Sequence, residues 1–146
     1  MKKTIGTISV VVLCVSLLVV ALVGCGEASL SAQSAKTGLK NAGYEVNEYN
    51  KTEFEEVYSS GALKTSQMEG LQTILYGTKK IGDRTDGILL LVFDNIDHAG
   101  IKDSDMFLMY DYGKKLAPSD ENAVGGKYNN VVWAGSQAAK KAAGIN

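Results

Sequence analysis

The chain has 146 residues, with 15 lysines and arginines against 16 aspartates and glutamates, a formal net charge of -1, one histidine and two cysteines. That balance gives no electrostatic pull towards nucleic acid or an anionic lipid surface. The basic residues also fall in separated pairs, Lys79-Lys80, Lys114-Lys115 and Lys140-Lys141, which read as solvated faces of different elements.

Residues 1–25 decide where the rest of the chain is placed. Lys2 and Lys3 form a short cationic start, a mostly apolar run covers 5–23, and the run closes on Leu22-Val23-Gly24-Cys25. An apolar segment of this length can span a bilayer or serve as a cleaved export signal. The distal end is small and uncharged, Gly24-Cys25-Gly26, where a stable span would have charged or aromatic flanks. An ordinary secretory cut before Cys25 would place the bulky Leu22 where a small residue belongs.

The tetrad Leu22-Val23-Gly24-Cys25 resembles a bacterial lipobox. In that class the cysteine is acylated and the peptide before it is removed. The resemblance therefore implies a lipidated Cys25 with palmitate-type chains and a protein held at the extracytoplasmic face of the cell membrane. More than one acyl chain gives the durable membrane residence that a single chain cannot. Cys14 would leave with residues 1–24, so the remainder would have no thiol for a disulfide, a zinc site or a redox pair. Lys2 and Lys3 leave too, so 13 basic residues face 16 acidic ones and the net charge becomes -3. The expected organisation is a signal peptide over 1–24, a lipidated cysteine with a small-residue tether over 25–31, and one domain over 32–146.

Within that domain Ala32, Ala35, Leu39 and Ala42 recur at helical spacing and predict a first helix from 31 or 34 to 42, stopped by Gly43. Tyr44 to Tyr49 alternates as a half-buried strand. Thr52 and Glu55 fit a capping box for a short helix over 53–59, with Phe54, Val57 and Tyr58 as its buried side. Residues 61–70 read as a loop or one further helical turn. The stretches 71–81 and 87–93 predict a hairpin around the turn residues 82–86. Its second member, Ile88-Leu89-Leu90-Leu91-Val92-Phe93, is apolar without a break, which marks a central strand covered on both faces. A helix then follows from a cap at Asn95 or Asp97 to Tyr112, with Ala99, Met106, Phe107 and Tyr110 inward and Gly113 as its stop. Residues 117–130 read as the longest loop, 131–134 as a short buried strand, and 138–143 as a final helix behind a Gly135-Ser136 cap. This order predicts an α+β fold, a small mixed or antiparallel sheet with helices packed mainly on one face and a ferredoxin-like character.

Residue sets that carry chemistry are sparse. His98 beside Asp94 and Asp97 invites an acid-base reading, yet Asp97 and His98 are neighbours that point apart on a helix, and no nucleophile stands near; an exposed histidine explains them. Asp94, Asp97, Asp103 and Asp105 could gather a hard cation. Asp103-Ser104-Asp105 begins like a calcium loop, but Leu108 stands where that loop needs glycine and Lys114 where it needs glutamate, so capping explains these carboxylates better. Gly125-Gly126-Lys127 resembles the end of a phosphate loop, with Tyr128 where a serine or threonine belongs and Glu121 where the leading glycine should be. No cofactor is expected. Tyr128, Trp133 and Ser136 are the candidate binding residues, offered by an aromatic pair and a capped helix start, although aromatics near a sheet are more often core. The reading is a lipid-anchored binding or interaction domain of the bacterial envelope. Its partners are the membrane through Cys25 and an envelope protein or component bound by the sheet face or the 117–130 loop, with no nucleic acid. The contrasting reading is an envelope hydrolase or metal-dependent enzyme centred on Asp94, Asp97 and His98.

Overall fold

The computed structural model describes residues 29–58, 62–94 and 101–146, so Cys25, Asp97 and His98 lie outside the described residues. Among the described residues no helix is long and apolar enough to cross a membrane. The chain forms α1 (Ala32–Asn41), β1 (Glu45–Tyr49), α2 (Lys51–Tyr58), a 3-10 turn (Thr65–Gln67), β2 (Leu71–Ile81), β3 (Arg84–Phe93), α3 (Asp103–Leu116), β4 (Val124–Tyr128), β5 (Val131–Gly135) and α4 (Gln137–Ala142). The strands make one antiparallel sheet in the order β1-β2-β3-β5-β4. The fold is α+β with a small antiparallel sheet.

β3 is the centre of this sheet, pairing with β2 on one side and β5 on the other. Its residues alternate between faces, so an unbroken apolar run supplies two cores at once. Leu89, Leu91 and Phe93 join Ile74, Val132 and Ala134 beneath Phe54 of α2 and Met109 and Leu116 of α3. Ile88, Leu90 and Val92 join Leu75, Val131 and Trp133 beneath Ala35 and Leu39 of α1 and Ala139 of α4. Helices therefore lie two on each face. The expectation that they gather mainly on one face is corrected here, because Ile88, Leu90 and Val92 would otherwise stand in water. The ferredoxin-like element is the split unit β3-α3-β4, two strands pointing the same way with β5 inserted between them, while β1 sits at the edge beside β2.

Local signals place most boundaries. Ser31 caps α1, its hydroxyl accepting from the Ser34 amide at 3.0 Å, and Gly43 closes the helix with φ +86°, a left-handed conformation that costs a glycine nothing. The capping box of α2 sits two residues earlier than expected: Asn50 Oδ1 accepts from the amides of Thr52 and Glu53, and Glu53 reaches back to the Asn50 amide at 2.9 Å. Glu55 instead accepts from the Ser66 amide. This shift leaves Phe54 buried and turns Val57 outward, 62% exposed, against the expectation that it is buried. The hairpin turn is only Gly82 and Asp83, with Arg84, Thr85 and Asp86 already in β3.

α3 and the stretch after it also differ from what the sequence leads one to expect. The helix begins at Asp103, where the Asp105 carboxylate accepts from the Lys102 amide at 2.9 Å, and its inward residues are Met109, Gly113 and Leu116. Phe107, expected inside, is 71% exposed. Gly113 does not stop the helix but seats it: a Cβ there would lie 2.9 Å from the Val124 carbonyl oxygen and 3.1 Å from the Gly135 nitrogen. The stretch expected as one loop over 117–130 holds a fifth strand, β4. Its Gly125 and Gly126 leave room for the Tyr110 ring on one face and the Trp133 indole on the other, each 3.2 Å from where a Cβ would be.

Between α2 and α3 the space is filled by rings. Phe54 stacks on Tyr58 and Tyr58 on Tyr76, at 5.2 and 4.8 Å between centroids, while the Tyr112 hydroxyl donates to the Tyr58 carbonyl. Burial first, and then the facing Tyr49 hydroxyl, push the Tyr58 phenol up to about 12.

In an exposed helix Gly→Ala gains about 1 kcal/mol, but overpacking a fixed contact costs about 1–3 kcal/mol. Because the Gly113 contact is backbone against backbone, Gly113→Ala is expected to destabilise the protein by about 1–2 kcal/mol, read as a lower urea midpoint at unchanged slope.

Candidate functional site

Because both faces of the sheet are covered, recesses can form only at its ends and edges. At the end where the β2–β3 turn lies is a cleft of about 350 Å³, lined by Ile81, Arg84, Thr85, Asp86, Ala117, Ser119, Asp120, Ser136 and Ala138. Three segments meet there: the start of β3, the stretch 117–123 after α3, and the β5–α4 junction.

Each wall is held by specific hydrogen bonds. The Tyr44 hydroxyl, brought over by the Gly43 turn, donates to Asp86 Oδ2. Burial first, then the bond to Asp86 and its charge, hold the Tyr44 phenol above the ordinary tyrosine range, while a hydrogen bond with Ser136 acts the other way. Lys79 crosses the Tyr44 ring at 5.4 Å and donates to the Ala42 carbonyl at 2.6 Å, closing the end of α1. Across the cleft, Asp120 accepts from the Asn122 amide through Oδ1 and from the Gln137 amide through Oδ2, both at 2.9 Å, which fixes the 117–123 stretch to the start of α4. Ser136 is buried, and its hydroxyl oxygen accepts from the Ala139 amide at 3.0 Å.

These bonds leave two ionic groups with spare capacity. Asp86 uses Oδ2 for Tyr44 and directs no described bond through Oδ1. Arg84, two residues before it on the same strand, takes part in neither ion pair found among the described residues, Lys36–Glu48 and Lys64–Glu55. In the same cleft Ala117 is buried and contributes with Ala138 and Ile81 an apolar surface.

The sequence-derived candidates are dispersed. Ser136 lines this cleft. Trp133 is a core residue, 6% exposed, with Lys140 Nζ over its ring at 5.4 Å. Tyr128 is half-buried at the opposite end of the β4–β5 hairpin. Asp94 is exposed just past β3, Asp103 is the first residue of α3, and Asp105 caps that helix. Among the described residues no three histidine, cysteine, aspartate or glutamate side chains gather to hold a metal ion. Tyr44, Arg84 and Asp86 were not visible as a set in the sequence, since Tyr44 and Asp86 are 42 positions apart and the second reads as turn chemistry.

The opposite end of β3 carries a different arrangement. The buried Asn130 side chain accepts from the Leu30 amide at 2.7 Å and donates to the Leu30 carbonyl at 3.1 Å and the Phe93 carbonyl at 3.0 Å. The amide group thus imitates a strand neighbour and fixes where the chain enters the fold. β3 rises on the order of 30 Å between this clasp and the cleft, at about 3.3 Å per residue.

Comparison of the chain with family models, with curated proteins and with solved structures found no match.

A hydrogen bond to a charged group contributes about 1.5–3 kcal/mol, so Tyr44→Phe is expected to lower stability at neutral pH by about that much. The phenols raised above their ordinary value near 10 hold their full contribution below pH 10 and lose it as pH rises towards the folded values. Urea unfolding between pH 8 and 12 should therefore show wild-type stability falling above pH 10, with a shallower fall in Tyr44→Phe.

Proposed function

We propose that the chain is a lipid-anchored, extracytoplasmic binding domain of a bacterial cell envelope, held at Cys25 and presenting the cleft to an envelope component. The observation that carries this reading is the polarity of the fold. Leu30, five residues after the lipobox cysteine, is clasped by Asn130 at one end of the sheet, and the cleft lies at the other. Five extended residues span at most about 17 Å, so the lipid would hold the clasped end near the bilayer and leave the cleft facing away.

Binding is favoured over catalysis by how the polar groups are spent. The Ser136 oxygen and both oxygens of Asp120 accept from backbone amides, which ties these groups to holding the chain at this junction. Of the surfaces that could meet a partner, the sheet faces are taken by helices. The 117–123 stretch remains, and it forms one wall of the cleft.

Intact mass of the membrane-extracted protein should show the loss of residues 1–24 and the gain of acyl chains, and Cys25→Ser should retain Lys2 and Lys3. A photoreactive residue at Ser119 should crosslink one specific neighbour on intact cells. An unmodified Cys25 in the wild type, or no specific capture, would contradict the reading.

A further inference from the structure

We infer that the cleft binds a small peptide-like zwitterion, a molecule with a free ammonium and a free carboxylate about two residues apart. This rests on the cleft being the binding site proposed above. Arg84 and Asp86 sit on the same side of β3, two residues apart, which spaces them by about 6–7 Å. An extended dipeptide separates its charged ends by a similar length. Arg84 has no described ion pair and can take a carboxylate on its planar fork. Asp86, held in place by Tyr44 through one oxygen, keeps the other for an ammonium.

The same pairing disfavours other ligands. A phosphate dianion drawn to Arg84 would meet the Asp86 carboxylate beside it. The cleft walls carry no aromatic ring on which a sugar could stack. In the same cleft Ala117, Ala138 and Ile81 offer an apolar surface suited to short aliphatic side chains, and a volume of about 350 Å³ is at the small end of ligand pockets.

The test uses the full acylated protein in detergent micelles and isothermal titration with three probes: L-alanyl-L-alanine, its N-acetyl derivative and its C-terminal amide. The free dipeptide is expected to bind, and each blocked form to bind at least tenfold more weakly. In Arg84→Gln the free and amidated dipeptides should bind alike, and in Asp86→Asn, which keeps an acceptor for Tyr44, the free and acetylated forms should bind alike. The blocked probes on wild type keep the result independent of the variants' folding. Absence of binding by the free dipeptide, or equal binding of all three probes, overturns the ligand class. The mass of Cys25 and the crosslink from Ser119 decide the anchored-binder reading separately.

Discussion

The burial of both faces of β3 is the constraint on which the rest of the molecule depends. Six consecutive apolar residues from Ile88 to Phe93 are at most 5% exposed, and no arrangement with one open sheet face could achieve that. Each fully buried side chain of this size contributes about 1.5–3 kcal/mol relative to exposure, so the run outweighs any single polar contact in the fold. The strand must then be central, and each face must receive its own pair of helices. With both faces covered, the cleft lies where the β2–β3 turn, the 117–123 stretch and the β5–α4 junction meet at one end of the sheet. A binding surface on a bare sheet face is ruled out by the same burial.

The two ends are built by polar groups rather than by the core. At one end a single buried amide, Asn130, satisfies both the amide and the carbonyl of Leu30 and also the Phe93 carbonyl. Removing a partner from such a cluster leaves buried groups unsatisfied, which costs about 1–3 kcal/mol for each. At the other end Asp120 and Ser136 accept from backbone amides, and Ser136 also bonds Tyr44, while Arg84 and one oxygen of Asp86 have no described partner. The contrast between spent and spare polar capacity distinguishes a structural junction from a surface able to receive a ligand.

What the sequence made legible follows the strength of local signals. The run from Ile88 to Phe93, the serine cap at Ser136 and the glycine stop at Gly43 act over a few residues and are found where expected, and of the two expected starts of α1 the structure takes Ser31. β4 was hidden because Gly125 and Gly126 weaken a strand locally and are placed there by the Tyr110 ring and the Trp133 indole from elsewhere in the chain. Gly113 misled for a related reason. A glycine adds nothing to a hydrophobic stripe, yet it is where α3 touches the sheet, so the helix face seemed to point through Phe107. Of the cleft, Ser136 and the 117–120 wall within the expected 117–130 binding loop were legible, while the Tyr44–Asp86 bond exists only once β1 has paired with β2 and β2 with β3.

The proposed anchoring at Cys25 implies a polarity of the domain relative to a bilayer, and that polarity can be measured directly. Processing would remove Cys14 and acylate Cys25, so a single introduced cysteine would be the one free thiol available for a fluorophore. Energy transfer from that label to acceptor lipids, with the acylated protein in vesicles, compares Lys127 near the clasped end with Asp83 at the β2–β3 turn. The account predicts strong transfer from Lys127 and markedly weaker transfer from Asp83. Equal transfer from both positions, or stronger transfer from Asp83, would contradict it.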